Sequence, residues 1–598
     1  MRTRRILPLI PLLIAACSHA PAPTEPPVAD ATAAIHALAD THAEGMLRLD
    51  PLLATMVGDH RYDDRLPDTL TDAGLGAIRK LNQDTRAGLA RIPRSALGGE
   101  DGLTWDVLDD LTRTALEGLE HGDQLMPLDQ NDALAIQMPV LGSGAGMHPF
   151  RTVADYDHFL SRIDAFDRWV NTAMSNMRRG IASGFTRPKA VMNRVLPQLE
   201  AQIVARPEDS AFWGPIARMP ADFSPADRER LTGAYRAAIT GTLVPAYGRL
   251  RDFTRDVYLP ACRATTASEA LPDGTARYAF QVRAQTTSSL TPHQIHELGL
   301  SEVKRLTAEI GRVARDQGFT GTTPEYIGML RRTPIDPAQD AAGLLARYQA
   351  FKATVGPHLP ALFGHLPRAD FEVRLIEPYR EGAASSQYVP ATLDGSRPGV
   401  FYVNASELKN RPIGASPSLF LHEAIPGHHF QIALTNENPS LPLLRRIVQY
   451  NAYIEGWALY VEKLGGPLGL YTRPQQSVTA LGSELFRSVR LVVDTGLHHE
   501  GWSREQAIQY ASTTMGTTAA FYEREVDRYI AAPGQALGYK IGELCISRLQ
   551  DKARNALNER FDLRAFHDAV LESGPLPLSL LETKMDTWIA RQRRVVVR

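Results

Sequence analysis

An excess of charge of one sign is missing from this 598-residue chain: 65 Lys and Arg stand against 67 Asp and Glu, a formal net charge of −2. Nothing in that balance calls for nucleic acid or a charged membrane surface as a partner. Apolar runs of the roughly 20 residues needed to span a bilayer are also missing, and the one candidate, which begins at Ile6, is too short. Cysteine is scarce, with three residues in all, so a disulfide framework cannot be what organises so long a chain. Cys262 and Cys545, far apart in sequence, are equally consistent with one bond formed in an oxidising compartment and with two buried thiols. No internal repeat is visible, and no linker interrupts the chain after its first 34 residues. The Gly-rich run at 142–146, GSGAG, lacks the Lys-Ser/Thr ending of a phosphate loop and reads as a turn.

The chain opens with Arg2, Arg4 and Arg5, a short apolar run, and Ile14-Ala15-Ala16-Cys17. This is a secretory signal ending in a lipobox, so in a bacterium Cys17 would become the lipidated first residue of the mature protein. Ser18 after it, rather than Asp, points to passage to the outer membrane. The expected divisions are a signal peptide at 1–16, a Pro- and Ala-rich disordered tether at 17–34, and a helical remainder at 35–598. That remainder exceeds the roughly 250 to 300 residues at which a single core stops growing, so more than one lobe is expected.

The stretch richest in chemistry is 419–431, LFLHEAIPGHHFQ. Two imidazoles and a carboxylate this close suggest a metal hydrolase: His residues hold the ion, and the Glu beside the first His takes a proton from water. In His-Glu-x-x-His the imidazoles share a helical face at i and i+4, but here the next His stands at i+6. A regular helix would place His422 and His428 roughly 9 Å apart along its axis, too far for one ion. Pro426 and Gly427 should break the helix, and a two-residue bulge would return one imidazole to the i+4 place. His428 is preferred and His429 is the alternative. A proline-kinked core helix with satisfied histidines remains the plain interpretation.

A third ligand is expected on a later helix, and residues 453–464, YIEGWALYVEKL, supply a helical period with Glu455 among aromatic and apolar neighbours. A carboxylate in that setting usually has a partner. Glu462, one heptad on, lies on nearly the same face and could serve only outside the ligand shell.

HEAIPGHH, YIEGWALYVEKLG, RLVVDTGLH, EVDRYIAAPGQALGYKIG, RPGVFYVN and LTPHQIHELGLSEV together resemble the bacterial family of domain of unknown function 885, many of whose members are lipoproteins. That family is in turn similar to the mainly helical, gluzincin-type zinc metallopeptidases, which include angiotensin-converting enzyme, the thimet-type oligopeptidases and the Taq-type carboxypeptidases. The resemblance implies a mainly α, two-lobed, metallopeptidase-like fold. It fixes no substrate.

Other stretches are assigned around this centre. Residues 155–181 and 224–260 carry apolar residues at three- and four-residue steps and read as helices, while 126–150 reads as a cleft-lining loop. His296-Glu297 has no His four residues on, and Thr291-Pro292 reads as the cap and first turn of a helix. FEVRLIE, SSQYVP and GVFYVN read as a small antiparallel sheet before the metal helix. The resemblance makes residues 399–404 the candidate edge strand that would pair with an extended substrate. Arg490, Asp494 and His498 fall at i, i+4 and i+8, so Asp494 could orient His498 toward a developing oxyanion; a salt-bridge ladder on a solvated face is the alternative. By resemblance, a Tyr from a late helix would stabilise the tetrahedral intermediate, with Tyr539 preferred over Tyr529.

The expectation is therefore one zinc ion on His422, His428 and Glu455, Glu423 as base, and His498 and Tyr539 as further catalytic groups. The substrate would be a short peptide, and the protein a lipid-anchored hydrolase facing the periplasm. A metal- or peptide-binding lipoprotein without activity, and an amidase on cell-wall fragments, are the competing expectations.

Overall fold

The structure, a computed structural model, describes residues 28–334, 337–376, 385–409 and 413–594. Cys17, the signal peptide and the first part of the tether lie outside them. The fold is mainly helical with small sheets. No described helix is long and apolar enough to cross a membrane.

The first described helix spans Val28–Leu49, so residues 28–34, assigned from sequence to the tether, are helical. Ala31, Ile35, Ala39, Ala43 and Leu47 explain why: they recur every four residues and are all buried. The 155–181 stretch forms the helix Val153–Ser183, started by a capping box of Thr152 and Asp155. The 224–260 stretch is a continuous helical run in which two π-turns, Ile239–Leu243 and Thr254–Tyr258, interrupt the α-geometry. Thr291 and Gln294 cap the helix Pro292–Asp316 as expected, and His296 Nδ1 meets Thr495 Oγ1 at 2.8 Å.

One expectation fails in this half. The loop at 126–150 contains a helix, Leu134–Gly142, with Pro139 inside it. It was hidden because Ala135, Met138 and Leu141 are buried while every flanking position but Gln137 is apolar or glycine too, which leaves no polar face to reveal a period. Of the two arrangements open for Cys262 and Cys545, the structure has the unpaired one: both are free thiols, and burial pushes each up to about 12.

Among the described residues, the buried apolar side chains form two large clusters, one around Phe420 and Trp457 and one around Phe166 and Tyr247, and two smaller ones, one on the first helix around Ile35 and one around Val400. The helix Pro474–His498 feeds both, with Leu491 in the first and Val489, Val493 and Leu497 in the second.

The three expected strands form, but the sheet is mixed. Phe371–Leu375 runs parallel to Gly399–Val403, and Gln387–Val389 runs antiparallel on its other side. Gly399–Val403 is thus the central strand, buried at all five positions, and not an edge. Its sequence, GVFYV, carries the unbroken apolar run of a covered strand rather than the alternation of a half-exposed one.

Helices Asn451–Val461 and Gly538–Leu557 touch backbone to backbone. A Cβ on Gly542 would lie 1.8 Å from the carbonyl oxygen of Ala452, and one on Gly456 would lie 2.5 Å from Gly542. Glycine at both positions lets Tyr539, on the first turn of the second helix, approach the face that carries Glu455.

Candidate metal centre

Ser416 caps the helix Pro417–Glu423 by accepting from the Leu419 N–H at 3.3 Å, and Pro417 takes the first-turn position where no N–H is needed. That helix delivers His422 and Glu423 on its last turn and stops. Ala424 and Gly427 leave helical geometry, Ile425–Pro426 is a cis peptide, and a new helix begins at His428. Only glycine fits at 427: a Cβ there would lie 1.9 Å from the His422 carbonyl oxygen. Trp457 Nε1 donates to the Pro426 carbonyl at 2.9 Å and ties the break to the following helix.

The break does what the spacing demanded. Glu455 Oε2 lies 3.3 Å from His422 Nε2 and 3.4 Å from His428 Nε2, and one donor atom from each of the three residues falls within 4.8 Å of the others. Donors arranged tetrahedrally about 2.1 Å from one ion stand roughly 3.4 Å apart. Glu455 Oε2 is buried without a hydrogen-bond partner among the described residues, although both imidazoles face it. A cation between the three atoms would satisfy it, so this donor set fits a metal.

The surroundings suit the same role. His422 Nδ1 meets Glu462 Oε1 at 3.0 Å, which holds the proton on that nitrogen and turns Nε2 toward Glu455. Burial alone would lower the His422 pKa, but the carboxylates of Glu455 and Glu462 outweigh it and lift the ring to about 9. Burial likewise opposes ionisation of Glu455, yet His428 and His422 hold its carboxyl well below the usual range. Glu423 is the contrast: burial raises its pKa, and the Tyr388 backbone N–H donates to its Oε2 at 2.8 Å. A buried carboxyl held at one oxygen and raised toward neutrality is suited to receive a proton and pass it on.

The structure places the remaining candidates as follows. His429 turns away from the cluster: its Nδ1 meets Tyr388 Oη at 2.9 Å, its Nε2 meets the Ala369 carbonyl at 3.2 Å, and burial brings it down to about 4. Tyr539 lies beside the centre, its ring nearly parallel to that of His422 at 6.3 Å between centroids. Tyr529 instead donates to Glu525 at 2.8 Å. His498 is drawn elsewhere: Ser268 N–H donates to its Nδ1 at 3.0 Å, and its Nε2 donates to the Tyr529 carbonyl at 3.0 Å. Asp494 does not orient it but accepts from Tyr278 Oη at 2.7 Å and from the Gly534 N–H at 3.1 Å. With both ring nitrogens occupied by backbone groups, His498 has no hydrogen bond to offer an oxyanion. The shared helical face was real, but residues four apart need not partner each other when neighbouring elements reach them first. The solvated-ladder alternative fails too, since Arg490, Asp494 and His498 are all buried.

Sequence reasoning missed the Tyr388 N–H as a support for Glu423. A backbone donor on a three-residue strand leaves no signature in residue type.

The model of one bacterial family matches residues 51–585. The chain belongs to the bacterial proteins of unknown function DUF885. Two solved structures resemble this DUF885 chain over nearly their whole length. One, described as a "putative lipoprotein" from Colwellia psychrerythraea, shares 28% identity at a TM-score of 0.85 and covers 94% of this chain and 99% of its own. The other, a "putative lipoprotein of unknown function" from Shewanella oneidensis, shares 17% identity at a TM-score of 0.67 and covers 92% and 98%, and it speaks for the fold alone. No curated protein matches.

The geometry separates the two candidate histidines by experiment. His428→Ala is expected to lower metal affinity by at least a hundredfold, whereas His429→Ala should leave the affinity within a few-fold of the parent and act on stability instead. Calorimetric titration of both variants checks this, and the reverse order would remove His428 from the ligand set.

Proposed function

We propose that this protein is a zinc-dependent hydrolase, a peptidase acting on short peptides, in which His422, His428 and Glu455 hold one ion and Glu423 is the base. The observation that carries the proposal is the gathering of three donor atoms within 4.8 Å of one another, with a buried carboxyl, fixed by the Tyr388 N–H, on the residue after the first ligand. Imidazole and carboxylate donors favour zinc by ligand type. When bound, zinc would make water acidic enough to ionise near neutral pH and would polarise a carbonyl.

The chain's own groups do the rest. The Glu423 carboxylate, fixed by the Tyr388 N–H, takes the proton of the attacking water and returns it to the leaving amine. Glu462 holds His422 in the orientation and tautomer that ligation requires. Tyr539, half-buried with its ring along that of His422, would donate to the oxyanion as it forms. Two His ligands, a base Glu beside the first of them and a later Glu ligand make the arrangement that the resemblance to the gluzincin peptidases implies, and the resemblance extends the reading to their two-lobed cleft. The lipobox at Cys17, together with a 28%-identical relative described as a "putative lipoprotein", supports a lipid anchor on the outer membrane with the enzyme facing the periplasm.

An intact base beside the ligands counts against a pure binding protein, which has no need of one. The test is metal analysis of the purified protein followed by digestion of a mixed peptide library. One zinc per chain is expected, with cleavage lost in chelator and restored by added zinc. Stoichiometric zinc without cleavage of any peptide would leave binding or a non-peptide amide as the function.

A further inference from the structure

Next to the centre lies a guanidinium that the mechanism above does not use. Arg490, on the helix Pro474–His498, is buried, with 8% of its side chain exposed. One edge is committed: Nε donates to Tyr529 Oη at 3.2 Å, and Nη2 reaches Glu525 Oε2 at 3.3 Å. Its Nη1 is buried without any hydrogen-bond partner among the described residues. The group is held between two rings, its Cζ 4.4 Å from the centroid of Phe486 and 4.5 Å from that of Tyr539. Tyr539 is the ring that lies along His422. The two steps put Arg490 Cζ no more than about 11 Å from the His422 ring, within reach of about three extended residues.

Charge points the same way. Glu525 is shared by Arg490 and Arg528, each at 3.3 Å, while the neighbouring Arg487 turns to Glu462 at 3.8 Å, a carboxylate already engaged by His422. Three guanidiniums therefore share two carboxylates beside the centre. A buried N–H of a fixed guanidinium favours an anionic oxygen over the neutral carbonyl of a continuing chain.

We infer that Arg490 receives the C-terminal carboxylate of the substrate, so that the enzyme removes short units from the carboxyl end of peptides. The inference rests on the peptidase reading. Together they define a substrate class of peptides with a free C-terminus lying one to three residues beyond the cleaved bond.

The test uses zinc-loaded Glu423→Gln protein and two probes, N-acetyl-alanyl-alanine and its C-terminal amide, titrated by calorimetry. The acid should bind at least tenfold more tightly than the amide. Adding Arg490→Gln should erase that difference while zinc content stays the same. Equal affinities with Arg490 intact would overturn the inference, and this comparison holds even if the double variant fails to fold. A preference that persists without Arg490 would assign the carboxylate to another group. An amidated peptide with an internal aspartate that binds as tightly as the acid would overturn the terminal assignment in favour of a side-chain carboxylate. Hydrolysis by the parent separates the two proposals. If the acid is preferred but no peptide is cleaved, the peptidase reading fails and the subsite stands. If a hexapeptide and its amide are cleaved with the same kcat/KM, the subsite fails and the peptidase stands.

Discussion

Glu423→Gln is expected to keep its zinc and to lose between about 10² and 10⁴ of kcat/KM, the range that a positioned base supplies. The amide is nearly isosteric with the carboxylate, and its oxygen can still accept from the Tyr388 N–H that holds Glu423 at 2.8 Å. What it cannot do is take a proton. Stability should move the other way. Burial raises the Glu423 pKa, so ionising this group in the folded protein is unfavourable. A carboxyl whose folded pKa lies above its unfolded one loses stability as pH rises from its ordinary value near 4.5 through the raised value. The metal-free variant has no such loss. Its Tm should match the parent in acid and exceed it at neutral pH. Kinetics on a cleaved peptide, metal analysis and paired thermal melts at two pH values check this. Loss of zinc would make Glu423 a ligand, and an unchanged kcat/KM would remove it as the base.

The sequence carried most of the centre because the chemistry there depends on residue type. His422, Glu423 and Glu455 could be picked out by composition and spacing, and Pro426-Gly427 announced a break where a regular helix would have kept His428 too far away. The choice of His428 over His429 was open in sequence, because two adjacent imidazoles differ only in direction. Direction was set by partners far along the chain, Tyr388 and Ala369 for His429 and Glu455 for His428. The same reason explains the failure at His498, whose helical neighbours were legible while Ser268 and Tyr529 were not. In the fold, amphipathic helices were readable from their period, but Leu134–Gly142 had no polar face to betray it. Strand order was not readable at all. Three short apolar runs give no indication that the third lies between the other two.

Glu455→Ala should release the metal, abolish activity and lower Tm, and it is the change that best separates a metal centre from a kinked core helix. Glu455 is the one donor carried by a different helical pair: its oxygen stands between His422 and His428, so the ion it completes would tie Asn451–Val461 to the two helices on either side of the break. Zinc at a hundred times its Kd stabilises a binding-competent fold by about 2.7 kcal/mol, and the variant should gain much less. Protons give an independent readout. In the metal-free parent His422 is held up to about 9 by Glu455 and Glu462 against the pull of burial, so near neutral pH it carries a proton that zinc must displace. That raised pKa also stabilises the metal-free fold fully below about 6.5, with the contribution lost as pH rises through about 9. Zinc uptake at pH 7.5 or thereabouts should thus release protons in the parent, measurable as a dependence of binding heat on buffer ionisation. Removing Glu455 takes away one of the two carboxylates and should shrink both the release and the acid-side stability. Glu462→Ala discriminates between the two carboxylates: it contacts Nδ1, away from the donor atoms, so the metal should stay with about 10- to 100-fold lower affinity. Equal zinc binding by the parent and Glu455→Ala would place the third ligand elsewhere and undo the His-Glu-His-Glu centre, whatever the peptide digests show.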